Sequence, residues 1–432
     1  MAKLARDPFT FMVDAAREYG GLVRLDLGLA TAYLVSDPDL VRHILVDNRG
    51  NYGKGRILRG LGLIIGDGLF INDGEPWQRR RRLMSPVFHR QRLDGLVTTM
   101  TEVVTVQMDR WPARIARGEP VDLFEEMVPI NINILLKAIF GTSISDEESL
   151  QMRRASDVIF NHSEKLVFSF FVPMRIPRPG HRRFTAALRT VDKLVAKLLA
   201  NRRRDAQDVG DLLSMLFLAR DEETGEGLTD EQIRNEVMGL LMAGYESTAA
   251  GMAWAWYLLS QNPDVERQLQ AELSTVLDGR IPTVDDLPKL RYTRMVIDEA
   301  LRLYPPFPAF FRTSLDADAL GDYQLPANSA IIISPFATHR NPSHWDRPEA
   351  FDPSRFDTEG SSDRPRAAYY PFGMGQRMCI GSTLSLVEQQ LTIAMVAQAY
   401  RRELVGGYQL AAHYDVALRP RDGVPMRLTR QR

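Results

Sequence analysis

The sequence predicts a mainly α-helical protein with a small β-sheet region, folded as a single domain over residues 1–432. Apolar residues recur at helical spacing through most of the chain, whereas strand-like alternation is confined to residues near 21–36 and 310–340 and to the C-terminal tail. We find no internal repeat, low-complexity linker or shift in composition that would mark a domain boundary. A chain of 432 residues can bury a large core without disulfide bonds.

The first 50 residues combine two strands with a short helix. Val23–Leu27 alternates between apolar and polar residues as a strand does, and Thr31–Ser36 is expected to pair with it. Asp37 and Pro38 then supply a helix cap and a first helical turn. A helix is therefore expected from this point to about Val46.

Helical spacing dominates from about residue 76 to residue 303. The expected helices share apolar positions three or four residues apart, and most end at a proline or begin at a capping side chain, such as Thr229. They are expected at residues 76–111 with a break near 85–86, at 122–140, 146–171, 182–204, within 205–228, and at 230–261, 263–277 and 284–303.

Beyond residue 303 the pattern changes to short strands, turns and one further helix. Tyr323–Leu325 and Ser329–Ser334 flank a turn and are expected to form a hairpin. Residues 341–370 are rich in proline, aspartate and arginine and are expected to be irregular. Ile380–Tyr400 is strongly apolar and is expected to be a helix, followed by strands in the tail.

The composition is that of an ordinary globular protein. The chain is 44% hydrophobic and 25% charged, with 54 basic and 55 acidic side chains and a net charge of −1. This balance argues against a general binder of nucleic acid or of acidic membranes. Residues 1–10 carry charges with no apolar core after them, so a secretory signal is not expected.

One apolar stretch, residues 237–259, has the length of a membrane span. Its polar residues are Glu246, Ser247 and Thr248, and a carboxylate at the centre of a bilayer costs at least ~2.5 kcal/mol. A long helix through a protein core is the better interpretation. The polar triplet at its centre then requires a functional reason.

The single cysteine, Cys379, excludes an intramolecular disulfide and a cysteine-rich zinc site. Three roles are left for Cys379: a small buried apolar side chain, a catalytic thiol or a single thiolate ligand. Cys379 ends a glycine-rich loop just before a helix, a position that lowers the pKa of a thiol. Gly375 and Gly381 permit the close approach of a large flat group, and Arg377 can face an anion. A cysteine hydrolase would need a histidine base, and the sequence has none within thirty residues of this cysteine.

The segment Phe372-x-x-Gly375-x-Arg377-x-Cys379-x-Gly381 resembles the haem-binding signature of the cytochrome P450 monooxygenases at every fixed position. The resemblance implies the cytochrome P450 fold, a triangular prism of helices around haem b (iron protoporphyrin IX). It also implies that Cys379 is the iron ligand. Phe372, Gly373 and Arg377 are expected to bind the haem.

Glu299-Ala300-Leu301-Arg302 is similar to the Glu-x-x-Arg helix of the same family, and Arg355 matches the third member of its ion-pair triad. Residues three apart share a helix face, so Glu299 and Arg302 can pair. A buried triad must be fully hydrogen-bonded, and breaking it is costly. The alternative for Glu299 and Arg302 is an exposed helix pair that contributes about 0.3–0.5 kcal/mol.

Ala243–Thr248 resembles the oxygen-activation motif of the family and explains the polar triplet in the long helix. Gly244 and a hydroxyl bonded to a carbonyl one turn earlier would loosen the helix there. Glu246, Ser247 and Thr248 are therefore the expected catalytic residues, passing protons to bound oxygen. Ser247 stands where the family usually has threonine, so it lacks the β-branch that fixes the side-chain rotamer. Thr248 could share its role.

Trp77 and Arg81 lie four residues apart on one helix face and look like the Trp-x-x-x-Arg pair that binds a haem propionate. Arg312 matches the other propionate arginine of the family. Lys54 and Tyr52 are further candidates for the same edge of the haem.

Three more arginines flank Arg81 and are expected to lie on a solvated basic helix face. They are candidates for docking an electron-donor protein, because a positive surface attracts a negatively charged partner. These residues are Arg79, Arg80 and Arg82.

On the substrate side, the resemblance implies that Phe307, five residues after Arg302, points at the substrate over the haem. Ala243 and Leu240, one helical turn apart, are expected to line the same space. A small residue at position 243 leaves room above the iron. The substrate is therefore expected to be an apolar small molecule.

The implied function is that of a haem-thiolate monooxygenase, an oxidoreductase that inserts one atom of O2 into an apolar substrate by hydroxylation or epoxidation. A thiolate ligand favours cleavage of the O–O bond. With no second cysteine for an iron–sulfur cluster and no flavin domain, electrons are expected from a separate ferredoxin or flavodoxin with its reductase. The expected protein is a cytoplasmic, soluble bacterial-type monomer of secondary metabolism, without a membrane anchor or nucleic-acid partner.

Two other functions remain open at this point. The first is a haem-thiolate enzyme of peroxide-driven, rearrangement or coupling chemistry, against which the pair Glu246 and Ser247 argues. The second is a non-enzymatic haem sensor or carrier. Activity with peroxide equal to activity with electron donors would favour the first, and a Soret band that no substrate shifts would favour the second.

Overall fold

The computed structural model describes residues 7–28, 31–55, 62–88, 95–142, 144–167, 180–205, 211–220, 225–357, 364–414 and 417–431. Helices make up most of these residues, as the sequence predicts. Their bounds are α1 Pro8–Tyr19, α2 Pro38–Arg42, α3 Gly62–Ile65, α4 Gly74–Met84, α5 Val97–Met108, α6 Trp111–Ala116, α7 Leu123–Phe140, α8 Asp146–Val167, α9 His181–Asp205, α10 Leu212–Leu218, α11 Asp230–Gln261, α12 Pro263–Val276, α13 Arg291–Leu303, α14 Pro335–Thr338 and α15 Ser382–Ala399.

The strands are short and form small sheets. The largest has the order β1-β2-β8-β5-β3; its β2 and β8 run parallel and its other neighbours antiparallel. The strand bounds are β1 Leu22–Asp26, β2 Thr31–Val35, β3 Tyr52–Gly53, β4 Val121–Asp122, β5 Phe310–Ser314, β6 Asp318–Leu320, β7 Tyr323–Leu325, β8 Ala330–Ile333, β9 Tyr400–Leu404, β10 Ala412–Tyr414, β11 Leu418–Pro420 and β12 Pro425–Arg430.

Most predicted helices are present, and the one expected at 284–303 ends at Leu303 as predicted but begins later than expected. Val284–Asp286 forms a separate 3-10 turn, and α13 begins only at Arg291. The carboxylate of Asp286 accepts hydrogen bonds from Thr283 N at 2.9 Å and from the Arg280 guanidinium at 2.6 and 2.7 Å. These local bonds hold the chain in a turn and delay the helix. The C-terminal end of the helix expected at 146–171 lies outside the described residues.

The predicted hairpin of Tyr323–Leu325 with Ser329–Ser334 is wrong. Strand β7 pairs with β6, and β8 pairs with β2 and β5. The connecting segment bonds to the end of β5, where Asn328 N donates to Ser314 O at 2.9 Å and Ser314 N donates to Ser329 O at 3.1 Å. Apolar strands that are close in sequence were predicted to pair, but closeness in sequence did not determine which strands pair.

Helix α11 passes through the largest core and positions the candidate site. It begins with a capping box, in which Gln232 N donates to the Thr229 hydroxyl and Thr229 N donates to the Gln232 side chain. Ala249, Ala250 and Trp256 lie in the core formed with α7, α13 and α15. None of the described helices is long and apolar enough to cross a membrane.

Candidate active site

The loop before α15 holds Cys379 in a fixed position. Cys379 N donates to the carbonyl oxygen of Phe372 at 2.9 Å, which closes the loop. Gly375 has a φ of +69°, and a Cβ there would lie 2.4 Å from the carbonyl oxygen of Leu45. Leu45 belongs to the π-helical turn that follows α2, so this close approach accepts only glycine. Gly373 also has a positive φ, +74°.

The surroundings of Cys379 change the pKa of its thiol in both directions. Its side chain is accessible to solvent, yet the surrounding protein desolvates the thiol and raises its pKa. The backbone N–H of Gly381 and the charge of Arg81 act in the opposite direction. Burial therefore outweighs the pKa-lowering effect that the sequence position predicts, and a cation bound at the sulfur would restore the thiolate.

A cluster of basic side chains lies on one side of this cysteine loop. Burial, together with the nearby charges of Arg312 and Arg377, lowers the pKa of Lys54 to about 7. Burial also lowers the pKa of Arg312 to about 10. Arg377 donates to Asp73 Oδ1 at 2.5 Å, and Lys54 N donates to Asp73 Oδ2 at 2.9 Å. Arg377 thus bonds to Asp73 through its guanidinium and Lys54 through its backbone N–H, while the ammonium of Lys54 donates to the carbonyl oxygen of Phe70.

This excess of positive charge fits the predicted haem. Haem b carries two propionates, and Lys54, Arg312 and Arg377 outnumber the nearby carboxylate of Asp73 in a place where burial lowers the pKa of each basic group. Buried charges require opposite charges to be tolerated. Cys379, which is accessible, and this cluster could together hold an iron and two carboxylates.

Helix α4 brings Trp77 and Arg81 to the same region. Trp77 is buried, and the guanidinium of Arg377 lies 4.3 Å from its ring centroid. Burial lowers the pKa of Arg81, and the charge of Cys379 partly offsets this effect. Both residues therefore lie close to the cysteine loop. Tyr52 does not, since its hydroxyl donates to Asp318 Oδ2 at 2.5 Å beside the sheet.

One face of the central helix α11 is open, in that several of its side chains are partly exposed. Leu240, Ala243 and Ser247 are partly exposed, while Leu241, Met242 and most neighbouring residues are buried. Spacings of three and four residues put these three side chains on the same side. The Ser247 hydroxyl donates to the carbonyl oxygen of Ala243 at 2.9 Å. This bond is the back-bonding that the sequence predicts.

The other two members of the polar triplet point away from this open face. Thr248 Oγ1 lies 3.0 Å from Ser385 Oγ, which belongs to the helix that follows Cys379. This contact brings the centre of α11 next to the cysteine helix. Glu246 is buried, and its Oε1 lies 2.7 Å from Nε of Arg419 on strand β11. The acid is therefore held by the C-terminal tail.

Phe307 lies in a short segment between α13 and β5. It is partly exposed, whereas Pro305, Pro306 and Pro308 around it are buried. The carbonyl oxygen of Pro308 accepts hydrogen bonds from Ser334 Oγ at 3.1 Å and from Phe336 N at 3.4 Å. An anchored segment therefore carries a partly exposed aromatic ring.

The side chains of Glu299 and Arg302 are fully buried, which excludes an exposed helix pair. Arg302 donates to both oxygens of Glu299 at 2.6 and 2.7 Å, and Arg355 Nε lies 3.4 Å from Glu299 Oε1. The remaining donors of Arg302 bond to the carbonyl oxygens of His339 and Pro348. This network joins α13 to the irregular region around residues 339–355.

The prediction that Arg79, Arg80 and Arg82 all lie on a solvated face is wrong for two of them. Arg80 is 6% exposed and its NH1 lies 3.0 Å from Glu236 Oε1. Arg79 is partly buried and donates to the carbonyl oxygen of Glu226 at 3.1 Å. Arg82 is exposed. Arg79 and Arg80 contact other parts of the protein, so the charge of these side chains did not predict their exposure.

Asp73 and Arg419 belong to the site but were not found from the sequence. Asp73 joins Lys54 and Arg377, which are distant in sequence. Arg419 reaches Glu246 from 173 positions along the chain. Neither residue stands in a local motif, so no sequence signal pointed to it.

The family model for Cytochrome P450 matches residues 1–415. Two proteins of Streptomyces melanosporofaciens are each 34% identical to this chain: cyclooctatin synthase (96% of this chain, 90% of that protein) and cyclooctat-9-en-7-ol 5-monooxygenase (94% and 88%). The crystal structure of the cytochrome P450DA heme domain matches with a TM-score of 0.90 at 28% identity, covering 100% of this chain and 95% of that one. These matches confirm the predicted fold class and haem cofactor.

Proposed function

The chain belongs to the cytochrome P450 family and is a haem monooxygenase, and on that basis we propose that it hydroxylates or epoxidises a cyclic, largely hydrocarbon molecule of the terpenoid type. We further propose that its electrons come from a separate ferredoxin or flavodoxin. The relative named for oxidation of cyclooctat-9-en-7-ol, a cyclic alkenol, supports this substrate class.

The observation that carries the proposal is the composition of the open face of α11. Leu240 and Ala243 are apolar, and the ring of Phe307 is partly exposed on a separate rigid segment. Such a lining favours a hydrocarbon and contributes little hydrogen bonding to a polar ligand. Ser247 is the polar group on the same face. An apolar pocket with one hydroxyl suits oxidation of an unreactive C–H or C=C bond.

Hydroxylation balances as R–H + O2 + two electrons + two protons → R–OH + H2O. Bound haem with a thiolate ligand supplies the activation of O2. Cys379 would hold its iron, and Lys54, Arg81, Arg312 and Arg377 would hold its propionates. Leu240, Ala243 and Phe307 would orient the substrate, and Ser247 would deliver protons to the pocket.

A separate electron donor is supported by the composition of this chain. Cys379 is its one cysteine, so an iron–sulfur cluster cannot be built here alongside the haem. Exposed Arg82 on α4 offers a positive charge close to the cysteine loop. A small acidic redox protein is the partner that this charge favours.

Spectroscopy and product analysis test the proposed function. The reduced protein under carbon monoxide should show the red-shifted Soret band of a thiolate ligand. Cyclic terpene hydrocarbons and alcohols should then be screened for Soret shifts. With a ferredoxin, its reductase and 18O2, the best of these should give a product containing one labelled oxygen atom.

Three results would contradict the proposal. A histidine-type Soret band would remove Cys379 as ligand. A protein that responds to none of the terpenes would be better explained as a sensor. Product formed as fast with hydrogen peroxide as with O2 and electron donors would favour peroxide-driven chemistry.

A further inference from the structure

A turn of π helix, called the π turn below, follows α2 and covers residues His43–Asp47. The N–H of Asn48 donates to the carbonyl oxygen of His43, five residues earlier, at 2.8 Å and closes the turn. An α-helix at the same place would close one residue sooner. Such turns are rare, and they frequently lie at functional sites. Two contacts of the π turn, with the cysteine loop and with Asp318, link it to the candidate site.

The first contact joins the π turn to the cysteine loop at Gly375. Leu45 lies in the middle of the turn, and its carbonyl oxygen is so near that a Cβ at Gly375 would collide with it. Val46 of the turn and Met374 of the loop pack against the same apolar cluster. Cys379 follows Gly375 four residues later in the loop. The π turn therefore limits where the loop that carries the sulfur can lie.

The second contact joins the carboxylate of Asp318, on β6, to both ends of the π turn. Its Oδ2 lies 2.8 Å from His43 Nε2, at the first residue of the turn, and accepts from Asn48 Nδ2 at 2.9 Å, just after the last. The Tyr52 hydroxyl, on β3, donates to the same oxygen at 2.5 Å. Burial by itself would raise the pKa of Asp318, but the hydrogen bonds from Tyr52 and His43 outweigh it and lower the pKa to about 2. One charged carboxylate therefore ties the π turn to two strands.

We propose that Asp318 is a positioning residue for the iron ligand: it holds both ends of the π turn, and the middle of the turn holds the cysteine loop at Gly375. Loss of the carboxylate frees the turn to return to α-helical hydrogen bonding, which moves the carbonyl oxygen of Leu45 relative to Gly375. The loop then loses its support on that side, and the sulfur is held less firmly. This inference rests on the proposed role of Cys379 as the ligand of the haem iron.

The test is the persistence of thiolate ligation in the haem-loaded protein. In the reduced protein under carbon monoxide, the red-shifted Soret band reports the thiolate, and its decay is followed at a fixed interval below each variant's unfolding temperature. Asp318→Ala should speed this decay about tenfold, because it removes hydrogen bonds to a charged group. Helical circular dichroism should stay constant meanwhile. A decay as slow as that of the wild type, or one that follows the loss of helix, would overturn the proposal.

Three variants separate positioning from general destabilisation. Asp318→Asn keeps an acceptor oxygen and should decay at an intermediate rate, and it carries the test if Asp318→Ala does not fold. Asp316→Ala removes an exposed carboxylate two positions away and should behave as the wild type. Asp286→Ala removes a carboxylate with several hydrogen bonds in the turn before α13, so it should lower the unfolding temperature without speeding the decay. Equal acceleration in Asp286→Ala and Asp318→Ala would refute a specific role for Asp318.

Thermal unfolding tests the contact between Asp318 and the π turn without the Soret band. Asn48→Ala, Asp318→Ala and the double variant are compared, and the double variant should lose less stability than the sum of the two single losses. Additive losses would show that the carboxylate does not hold the turn. A wild-type protein with a histidine-type Soret band would count against Cys379 as the ligand, and the unfolding data would still decide the contact.

Discussion

Ser247 is the residue at which this chain departs from its family's usual motif. Its hydroxyl donates to the carbonyl oxygen of Ala243 at 2.9 Å, and its side chain is partly exposed. Serine keeps the hydroxyl but lacks the methyl group that restricts χ1 in threonine. The hydroxyl can therefore leave its carbonyl partner more easily, and proton delivery should be less well ordered.

The first residue-scale prediction concerns proton delivery at this position. Ser247→Ala should divert electrons from product to hydrogen peroxide, lowering product per electron about tenfold. Ser247→Thr should raise product per electron above the wild-type value, because the β-branch fixes the hydroxyl. Peroxide and product are measured against NADPH consumed, and substrate affinity from the Soret shift. Unchanged peroxide release in Ser247→Ala would remove Ser247 from proton delivery.

Lys54 shows how folding changes the pKa of a single side chain. The position of Lys54, 23 residues before Trp77, gives no sign of an altered pKa. The alteration comes from residues that approach Lys54 only in the folded protein. Burial and the charges of Arg312 and Arg377 lower its pKa to about 7. A lowered lysine pKa means that the charged form is disfavoured until an anion arrives.

At the scale of elements, α15 carries a buried polar stripe on an otherwise apolar helix. Ser385, Glu388, Gln389 and Thr392 recur at spacings of three and four residues, so they share one face. Gln389 Nε2 donates to Ser385 Oγ at 3.1 Å. Glu388 is 2% exposed, and its Oε1 has no hydrogen-bond partner among the described residues. Burial raises the pKa of Glu388 to about 8.

This carboxyl group should make stability depend on pH. Between its ordinary pKa of 4.5 and about 8, Glu388 is protonated in the folded protein and ionised in the unfolded chain. Unfolding then releases a proton, so the free energy of unfolding falls as pH rises, by at most about 1.4 kcal/mol per pH unit.

The second prediction follows from that sign. Glu388→Gln should equal the wild type near pH 5 and become more stable by at least about 1 kcal/mol at pH 8, with no further gain at higher pH. Thermal unfolding across this range measures the difference. Glu403→Gln, an exposed glutamate on β9, is the control and should show no such trend. A gap between Glu388→Gln and wild type that does not grow with pH would disprove a raised pKa.

At the scale of the whole molecule, a net charge of −1 conceals how charge is distributed. Arg80 forms a buried ion pair with Glu236, and Arg79 bonds to the backbone near residue 226. Arg82 remains exposed on α4, the helix that also carries Trp77. The positive surface available to an electron donor is therefore smaller than the run of four arginines implies.

The third prediction tests this surface. Arg82→Glu should slow reduction by an acidic ferredoxin several-fold at low salt, and the difference should shrink as ionic strength rises. Stopped-flow reduction of the haem under carbon monoxide measures the rate. Arg427→Glu, an exposed position on β12, should have little effect. Equal rates for Arg82→Glu and wild type at low salt would put the docking surface elsewhere.

Local patterns were sufficient for most helices and for the segments that carry the motifs. Thr229 caps α11 and Asp37 caps α2 at the expected positions, since a capping side chain bonds to backbone groups within three residues. The predicted start of helix 284–303 and the hairpin at 323–334 failed because Asp286 bonds to Arg280, and because the segment after β7 bonds to Ser314. Those partners could not be inferred from helical or strand spacing.

By itself, the sequence determined the mainly helical fold class from apolar spacing, and it determined the haem cofactor through the resemblance of short segments to the motifs of a known family. Only the tertiary structure decided that Asp73 joins the basic cluster, that Arg80 is buried, and that Arg419 lies against Glu246. Charge interactions act through space between residues far apart in the chain, and burial sets their strength. Neither the distance between two charged groups nor their burial follows from the local spacing of residues in the sequence.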